Sequence, residues 1–179
     1  MTAKKNFDIG VLVEHLKTAS RQPDARAEVK SILQETVADP VWVSTGMPDY
    51  EDDDVVLFED DNVSIWHCRF PVGYSVPAHD HQVTATIAVY RGSERNDFWE
   101  SDGEGGIRKS NEQILSAGNV LQIGPNAIHS VGCASPEPTC GIHVYLGWLT
   151  KIDRSLFDVE RGETMRFDDE NYQRLKSKD

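Results

Sequence analysis

The chain lacks any long hydrophobic run: its 179 residues contain no stretch of about 18 consecutive apolar residues. We therefore expect no segment that spans a membrane. The N-terminus, MTAKKNFDIG, has lysines but no apolar stretch followed by a small-residue cleavage site, which argues against secretion. These absences favour a cytoplasmic protein that has no membrane partner.

Cysteine is scarce, and its spacing is not that of a structural framework. Cys68, Cys133 and Cys140 are odd in number and form no CxxC pair, which argues against a disulfide scaffold and against a zinc ribbon. A free cysteine is commonly a small buried hydrophobic side chain. The pattern fits the reducing conditions of a cytoplasm.

Basic residues are outnumbered by acidic ones. The chain has 18 lysines and arginines against 30 aspartates and glutamates, which gives a formal net charge of −12. A surface of this charge repels the phosphates of nucleic acids and of anionic lipids, so we expect neither as a partner. Hydrophobic residues make up 39% of the chain, which at this length is enough for one domain with its own core.

Apolar residues recur at helical spacing in the N-terminal third of the chain. The pattern from Phe7 to Leu16 predicts one helix, and the pattern from Asp24 to Val37 predicts a second, with Pro40 as its stop signal. We interpret residues 1–54 as a helical extension that packs on the outside of the remaining domain or covers one end of it.

Between residues 55 and 149 the spacing becomes that of short β-strands. Segments rich in β-branched and aromatic residues alternate with turn residues, which is typical of a sandwich or a jelly roll. The expected fold class is therefore all-β with N-terminal helices. The predicted strands are 55–58, 62–70, 74–79, 83–90, 94–99, 106–115, 119–123, 128–133 and 140–149. Residues 150–179 are expected to cover the barrel and to contain one short helix from Asp168 to Lys176.

The most informative segment reads Gly73-Tyr-Ser-Val-Pro-Ala-His79-Asp-His81. In an extended segment residues i and i+2 point to the same face, so the two imidazoles project together. Imidazole nitrogens bind iron, zinc, copper and nickel, and a third ligand must come from elsewhere in the chain. His129, on a predicted strand after a Gly-Pro turn, is the best candidate.

A histidine on a strand is more often a hydrogen-bonded core or surface residue than a metal ligand. The metal hypothesis depends on the combination of the HxH pair, the β-rich chain and the third histidine near a turn. His15 lies on a predicted helix and is expected to be structural. His67 points away from the side chains of its neighbours Trp66 and Cys68.

His143 and Tyr145 form a second same-face pair, in the segment GIHVY. A buried histidine and tyrosine can satisfy each other by hydrogen bonding. Alternatively, they line the metal cavity as a pair that handles protons. Glu94 and Glu100 follow the turn at Gly92 in a charged segment, and we expect both of them on a solvated strand edge.

These motifs resemble those of a known superfamily. The pattern of Gly73, His79 and His81 with Gly92 downstream is similar to the first cupin motif, and residues 118–129 are similar to a degenerate second one. Within the cupins, the segments PAHDHQ, GPNAIHSVG and GIHVY resemble the thiol dioxygenases. They resemble more closely a group of related bacterial metal-dependent cupins.

The resemblance implies a double-stranded β-helix, or jelly-roll barrel, over residues 55–149. It also implies a facial iron(II) site made by His79, His81 and His129. His143 and Tyr145 would be the last two members of a Ser-x-His-x-Tyr relay beside the substrate.

Several departures from the family pattern narrow this expectation. Many cupins have a glutamate ligand where this chain has residues 83–86, Val-Thr-Ala-Thr, which favours an all-histidine site. Gly141 replaces the relay serine, and the cysteine that crosslinks to the tyrosine in animal cysteine dioxygenases is missing. No arginine matches the one that binds the substrate carboxylate, although Arg69 and Arg91 are nearby in sequence. L-Cysteine is therefore not the expected substrate.

We predict a metal-dependent dioxygenase that transfers both atoms of dioxygen to a small thiol, giving a sulfinate. The resemblance indicates iron(II), while the nitrogen ligands also suit zinc, nickel or manganese. Two alternatives stay open: another cupin metalloenzyme that opens a ring or cleaves a carbon–carbon bond, and a non-catalytic cupin that binds a small ligand. Because cupins associate through sheet edges, a homodimer is also consistent with the sequence.

Overall fold

The chain folds into two antiparallel sheets, with N-terminal helices packed against one of them. A computed structural model describes residues 6–176. The helices are α1 (Ile9–Ala19), α2 (Ala25–Val37), α3 (Pro40–Gly46) and α4 (Asp169–Lys176). The strands are β1 (Asp54–Glu59), β2 (Ser64–Phe70), β3 (Ser75–His79), β4 (Ala85–Arg91), β5 (Ser93–Ser101), β6 (Ile107–Ser116), β7 (Val120–Ile123), β8 (Ile128–Cys133), β9 (Thr139–Tyr145), β10 (Ser155–Asp158) and β11 (Glu163–Arg166).

The order of the strands defines the fold. The first sheet has the order β1-β2-β9-β4-β7, and the second has the order β11-β10-β3-β8-β5-β6. From β2 to β10 the chain alternates between the two sheets, except for the β5-β6 hairpin, which stays in the second. Two sheets wound together in this way form the double-stranded β-helix of cupins. The predicted fold class, all-β with N-terminal helices, is confirmed.

The two faces of the first sheet have different surroundings. All seven residues of β9 are buried, and successive side chains point to opposite faces. Ile142 and Val144 pack with Leu33 of α2 in the largest hydrophobic cluster, whereas His143 and Tyr145 line a cavity inside the barrel. The helices therefore cover one face of this sheet and leave the other face to form the cavity.

A third N-terminal helix begins at the residue that we predicted to be a stop signal. The Asp39 carboxylate accepts a hydrogen bond from the backbone N–H of Trp42 at 3.0 Å, and Pro40 occupies the first turn. Proline is tolerated there because the first N–H groups of a helix have no partner within the helix. The second helix ends at Val37, before Pro40, as predicted, but the sequence pattern did not predict the third helix that starts there.

Residues after β9 add two strands that the sequence pattern did not predict. β10 pairs with β3, with Leu156 opposite His79, and β11 pairs with β10. In residues 6–176 no helix is long and apolar enough to cross a membrane. The predicted ranges 1–54 and 150–179 extend into residues 1–5 and 177–179, which lie outside the described part of the chain, and the three-part division stays a prediction.

Candidate metal centre

Three buried histidines converge inside the barrel. His79 ends β3 and lies opposite His129 of β8 in the antiparallel ladder. His81 lies just beyond the end of β3, and its Nε2 is 3.3 Å from the Nε2 of His129. One ring nitrogen of each histidine lies within 4.8 Å of the corresponding atoms of the other two. The sequence-predicted residues are thus brought together, although His81 comes from a turn instead of the strand.

The turn that presents His81 is held from both sides. The backbone N–H of Asp80 donates to the carbonyl of Ser155 at 3.1 Å, and that of Gln82 donates to the carbonyl of Pro125 at the same distance. Gln82 has a positive φ of 57°, which turns the chain sharply after His81. The turn is therefore fixed by segments far away in the sequence.

The hydrogen bonds of the three rings suit metal ligands. The Nδ1 of His79 lies 2.8 Å from the carbonyl of Pro77, and the Nδ1 of His129 lies 2.8 Å from the Oδ1 of Asn96. A carbonyl oxygen only accepts, so Nδ1 carries the hydrogen in each ring and Nε2 keeps its lone pair. The His81 Nδ1 has no partner within the described residues. A cation among the Nε2 atoms would relieve the repulsion between lone pairs that face each other.

Burial keeps all three imidazoles uncharged, as metal binding requires. It lowers the pKa of His79 to about 3, and it lowers the pKa values of His81 and His129 well below the ordinary value. The positive charge of Arg154 depresses the pKa of His79 further. In residues 6–176 the histidine cluster contains no carboxylate.

A cavity of about 300 Å³ opens beside the three histidines. Its walls are largely aromatic, and part of its rim comes from the C-terminal segment through Arg154, Phe167 and Tyr172. The inner wall of the cavity includes Trp66, Cys68, Phe70, Tyr74, His143 and Tyr145. A space of this size accommodates only a small molecule.

The predicted pair His143 and Tyr145 lines this same cavity. The Nδ1 of His143 lies 3.3 Å from the Tyr145 hydroxyl, and the Tyr145 ring meets His81 edge-on with ring centroids 4.9 Å apart. Burial raises the pKa of Tyr145 well above its ordinary value, so the phenol is neutral. The two side chains therefore contact each other and face the cavity, and their role in handling protons stays a prediction.

Glu94 does not lie on a solvated edge, and that prediction is wrong. Its side chain is fully buried, with Oε2 3.2 Å from the Nε2 of His143 and Oε1 accepting from the Nδ2 of Asn96 at 2.9 Å. β5 has β6 and β8 as neighbours, so its alternate residues Glu94 and Asn96 point inward. The alternation along Glu94, Arg95 and Asn96 could have indicated that the first and third of these residues point inward, but the charged side chains suggested a solvated segment. Glu100 is exposed and pairs with Arg108.

Arg154 lines the cavity, although no sequence motif marked it. Its guanidinium carbon lies 3.6 Å from the centroid of the Phe167 ring. Within the described residues its side chain forms no hydrogen bond and no ion pair. Arg69 and Arg91, the arginines considered from the sequence, do not line the cavity and pair instead with Asp53 and Glu137.

The cysteines divide between the cavity and other parts of the fold. Cys68 lines the cavity and hydrogen-bonds the carboxyl of Asp54, and burial raises the pKa values of both groups. Cys133 lies on β8 against the Ser135–Glu137 turn and does not line the cavity.

The remaining two histidines of the chain lie outside the site. His67 hydrogen-bonds Tyr90 at 2.7 Å, and His15 is exposed.

The strand order and the histidine cluster define a cupin-type barrel whose three histidines are positioned to bind a metal ion. No family model and no curated protein matches the sequence. Among solved structures, a conserved protein with a double-stranded β-helix domain from Klebsiella pneumoniae is similar at 17% identity and a TM-score of 0.49, over 64% of this chain and 88% of that one.

Two further solved structures are similar over the barrel. An RmlC-like cupin family protein from Methanocaldococcus jannaschii matches at 16% identity and a TM-score of 0.47, over 59% of this chain and 91% of that one. A cupin superfamily protein from Desulfitobacterium hafniense matches at 17% identity and a TM-score of 0.45, over 58% of this chain and 86% of that one. The strand order of this chain defines its fold without them.

Proposed function

We propose that the protein is a metal-dependent dioxygenase that oxidises a small thiol to a sulfinate, with His79, His81 and His129 holding iron(II). The observation that carries the proposal is the set of three uncharged imidazoles that faces a small cavity with no carboxylate among the ligands. Such a site leaves the full positive charge of the metal to be balanced by the substrate. A thiolate supplies that negative charge and is a soft ligand suited to iron.

The metal and the protein side chains have separate tasks in this proposal. When bound, iron(II) supplies the position at which a thiolate and dioxygen meet, so that both oxygen atoms pass to sulfur. Tyr145 and His143 remove the proton of the incoming thiol. The S–H proton moves to the Tyr145 oxygen as the phenol proton moves to the His143 Nδ1, 3.3 Å away. Glu94 faces the imidazolium that forms, at 3.2 Å.

Arg154 suggests which thiols fit. A largely buried guanidinium that forms no ion pair with any residue from 6 to 176 favours a ligand that brings its own anionic group, because an unpaired buried charge is costly. The carboxylate of Asp80, which attracts it, already accepts from the backbone N–H of Ser155 at 2.9 Å and from Gln82 at 2.7 Å. We therefore propose a small thiol that also carries a carboxylate, with the sulfur at the histidines and the carboxylate at Arg154.

Elemental analysis of the purified protein, coupled with an oxygen-electrode screen, tests the proposal. We expect iron in the protein and thiol-dependent oxygen uptake that is faster for mercapto-acids than for matched thiols without an acid group. Uptake with diketones or catechols but not with thiols would instead support a ring-opening or carbon–carbon-cleaving enzyme. Zinc with no uptake of oxygen under any of these conditions would favour a cupin that only binds a ligand.

A further inference from the structure

A row of buried hydrogen bonds connects the candidate metal ligand His129 to the cavity residue Tyr145. The row runs His129 Nδ1, Asn96 amide, Glu94 carboxylate, His143 imidazole and Tyr145 hydroxyl, with contacts of 2.8, 2.9, 3.2 and 3.3 Å. The side chains of Glu94 and Asn96 are fully buried, and neither belongs to the set that the sequence motifs indicate. All five residues lie on β5, β8 and β9.

The donors and acceptors in this row allow only one arrangement when Glu94 is a carboxylate. A carboxylate only accepts, so the Asn96 Nδ2 must face it, and the Asn96 Oδ1 must then face His129. That oxygen requires a hydrogen on the His129 Nδ1, which leaves the Nε2 lone pair for a metal. On the other side, the same carboxylate requires a hydrogen on the Nε2 of His143.

Gly141 explains why Glu94 can reach this nitrogen. A Cβ atom at position 141 would lie 3.2 Å from the Nε2 of His143 and 3.1 Å from the carbonyl of Ala88. A serine there would crowd the ring at the nitrogen that Glu94 approaches. The absence of a side chain at Gly141 and the buried carboxylate at Glu94 are therefore two parts of one arrangement.

We propose that Glu94 and Asn96 are positioning residues of the metal site, and that the single buried carboxylate of Glu94 fixes the tautomers of both His129 and His143. His129 thereby presents Nε2 to the metal. The neutral ring of His143 turns its Nδ1 to Tyr145, takes the phenol hydrogen, and leaves the lone pairs of the phenol oxygen facing the cavity. The inference rests on the proposed metal site but not on the thiol reaction.

The test reads the tautomers directly, by NMR of protein labelled with nitrogen-15 in its histidines, first metal-free and then loaded with zinc(II), which is diamagnetic. In the wild-type protein we expect a hydrogen on the His129 Nδ1 before any zinc is added, and a hydrogen on the His143 Nε2 in both states. In Glu94→Gln the amide nitrogen faces His143, because bound zinc keeps the His129 Nδ1–H and hence the orientation of Asn96. The His143 hydrogen should therefore move from Nε2 to Nδ1 while His129 is unchanged.

The control is Glu100→Gln, the same substitution on the same strand at an exposed position, which should leave both rings as in the wild type. A bare Nε2 on His143 or a bare Nδ1 on His129 in the wild-type protein would overturn the proposal, whether or not a variant folds. So would a Glu94→Gln protein that keeps the His143 Nε2–H.

Asn96→Leu gives an independent measurement, because it removes the acceptor of the His129 Nδ1 at similar volume. We expect the zinc dissociation constant to rise by about 10- to 100-fold, as is usual when the hydrogen-bond partner of a metal ligand is lost. Asn111→Leu, at an exposed position of β6, should leave it unchanged. Equal zinc affinity in Asn96→Leu and wild-type protein would overturn the role of Asn96. These readouts use neither thiol nor oxygen, so they separate this inference from a failure of the proposed reaction.

Discussion

The Tyr145 hydroxyl is the cavity group that our proposal makes responsible for the thiol proton. Tyr145→Phe removes the oxygen and keeps the ring that packs edge-on against His81. We expect turnover to fall by about 100-fold or more, within the range for loss of a positioned acid–base group, while the iron content stays that of the wild type. Oxygen-uptake kinetics and elemental analysis measure the two quantities. Unchanged turnover at full iron content would remove the proposed role of the hydroxyl.

The buried histidines also predict how the metal-free protein responds to pH. Burial lowers the pKa of His79 to about 3, whereas the same group in the unfolded chain titrates near 6.5. Between these pH values the unfolded chain binds more protons than the folded chain. The contribution of neutral His79 to the free energy of unfolding is therefore fully present above about pH 6.5 and is lost as the pH falls toward 3. Each such histidine contributes a slope of about 1.4 kcal/mol per pH unit in that window.

Urea unfolding of the metal-free protein at several pH values between 4.5 and 7 measures this slope. His79→Gln should reduce it by about one histidine's share, because the uncharged amide does not titrate. His15→Gln, at an exposed position of α1, should leave the slope as it is. An equal slope in wild-type and His79→Gln protein would show that the low pKa of His79 does not govern acid stability.

At the scale of elements, the periodicity of the sequence predicts the strands and residue pairs that depend only on neighbouring residues in the chain. The strands from β1 to β9 follow from their alternation and their turn residues, and the HxH spacing brings two of the three histidines together. β10 and β11 escape notice because each has only four residues, and β10 joins the sheet by pairing with β3, which is distant in the sequence. Arg154 enters the cavity from the segment before β10, so no local motif could mark it. Glu94 was missed because burial of a carboxylate depends on a partner, His143, that lies 49 residues away.

The C-terminal segment gives the cavity the positive charge of Arg154, and one substitution tests the role of that charge. Arg154→Gln should raise the KM for a mercapto-acid by about 10- to 100-fold, which corresponds to the loss of one charge-assisted hydrogen-bonded contact. The KM for a thiol of similar size without an acid group should stay nearly the same. Arg166→Gln is the matched control, since Arg166 lies on β11 and pairs with Asp153 at an exposed site. Equal losses for both thiols would contradict the assignment of Arg154 to the carboxylate.

At the scale of the whole molecule, the first sheet separates the helical layer from the metal cavity. Its outer face packs with α1, α2 and α3, and its inner face lines the cavity with the histidines. We expect that weakening the packing of the helices leaves metal binding in the cavity unchanged. β6 is an edge strand whose residues are largely exposed and partly charged, a pattern that discourages pairing between sheet edges. The homodimer and the cytoplasmic location remain predictions from the sequence, and sedimentation of the purified protein tests the first of them.

The separation of the two faces can be measured by weakening the helical layer alone. Leu33 of α2 is fully buried and packs in the same hydrophobic cluster as Ile142 and Val144 of β9. Leu33→Ala leaves a cavity there and should lower the free energy of unfolding by about 2–5 kcal/mol. Because the neighbouring β9 residues His143 and Tyr145 point the other way, zinc affinity at a temperature where the variant stays folded should equal that of the wild type. Val41→Ala, at a side chain that is 73% exposed, should change neither quantity. A loss of zinc affinity in folded Leu33→Ala protein would show that the helices help to shape the metal site, and that the two faces of the sheet are coupled through its strands.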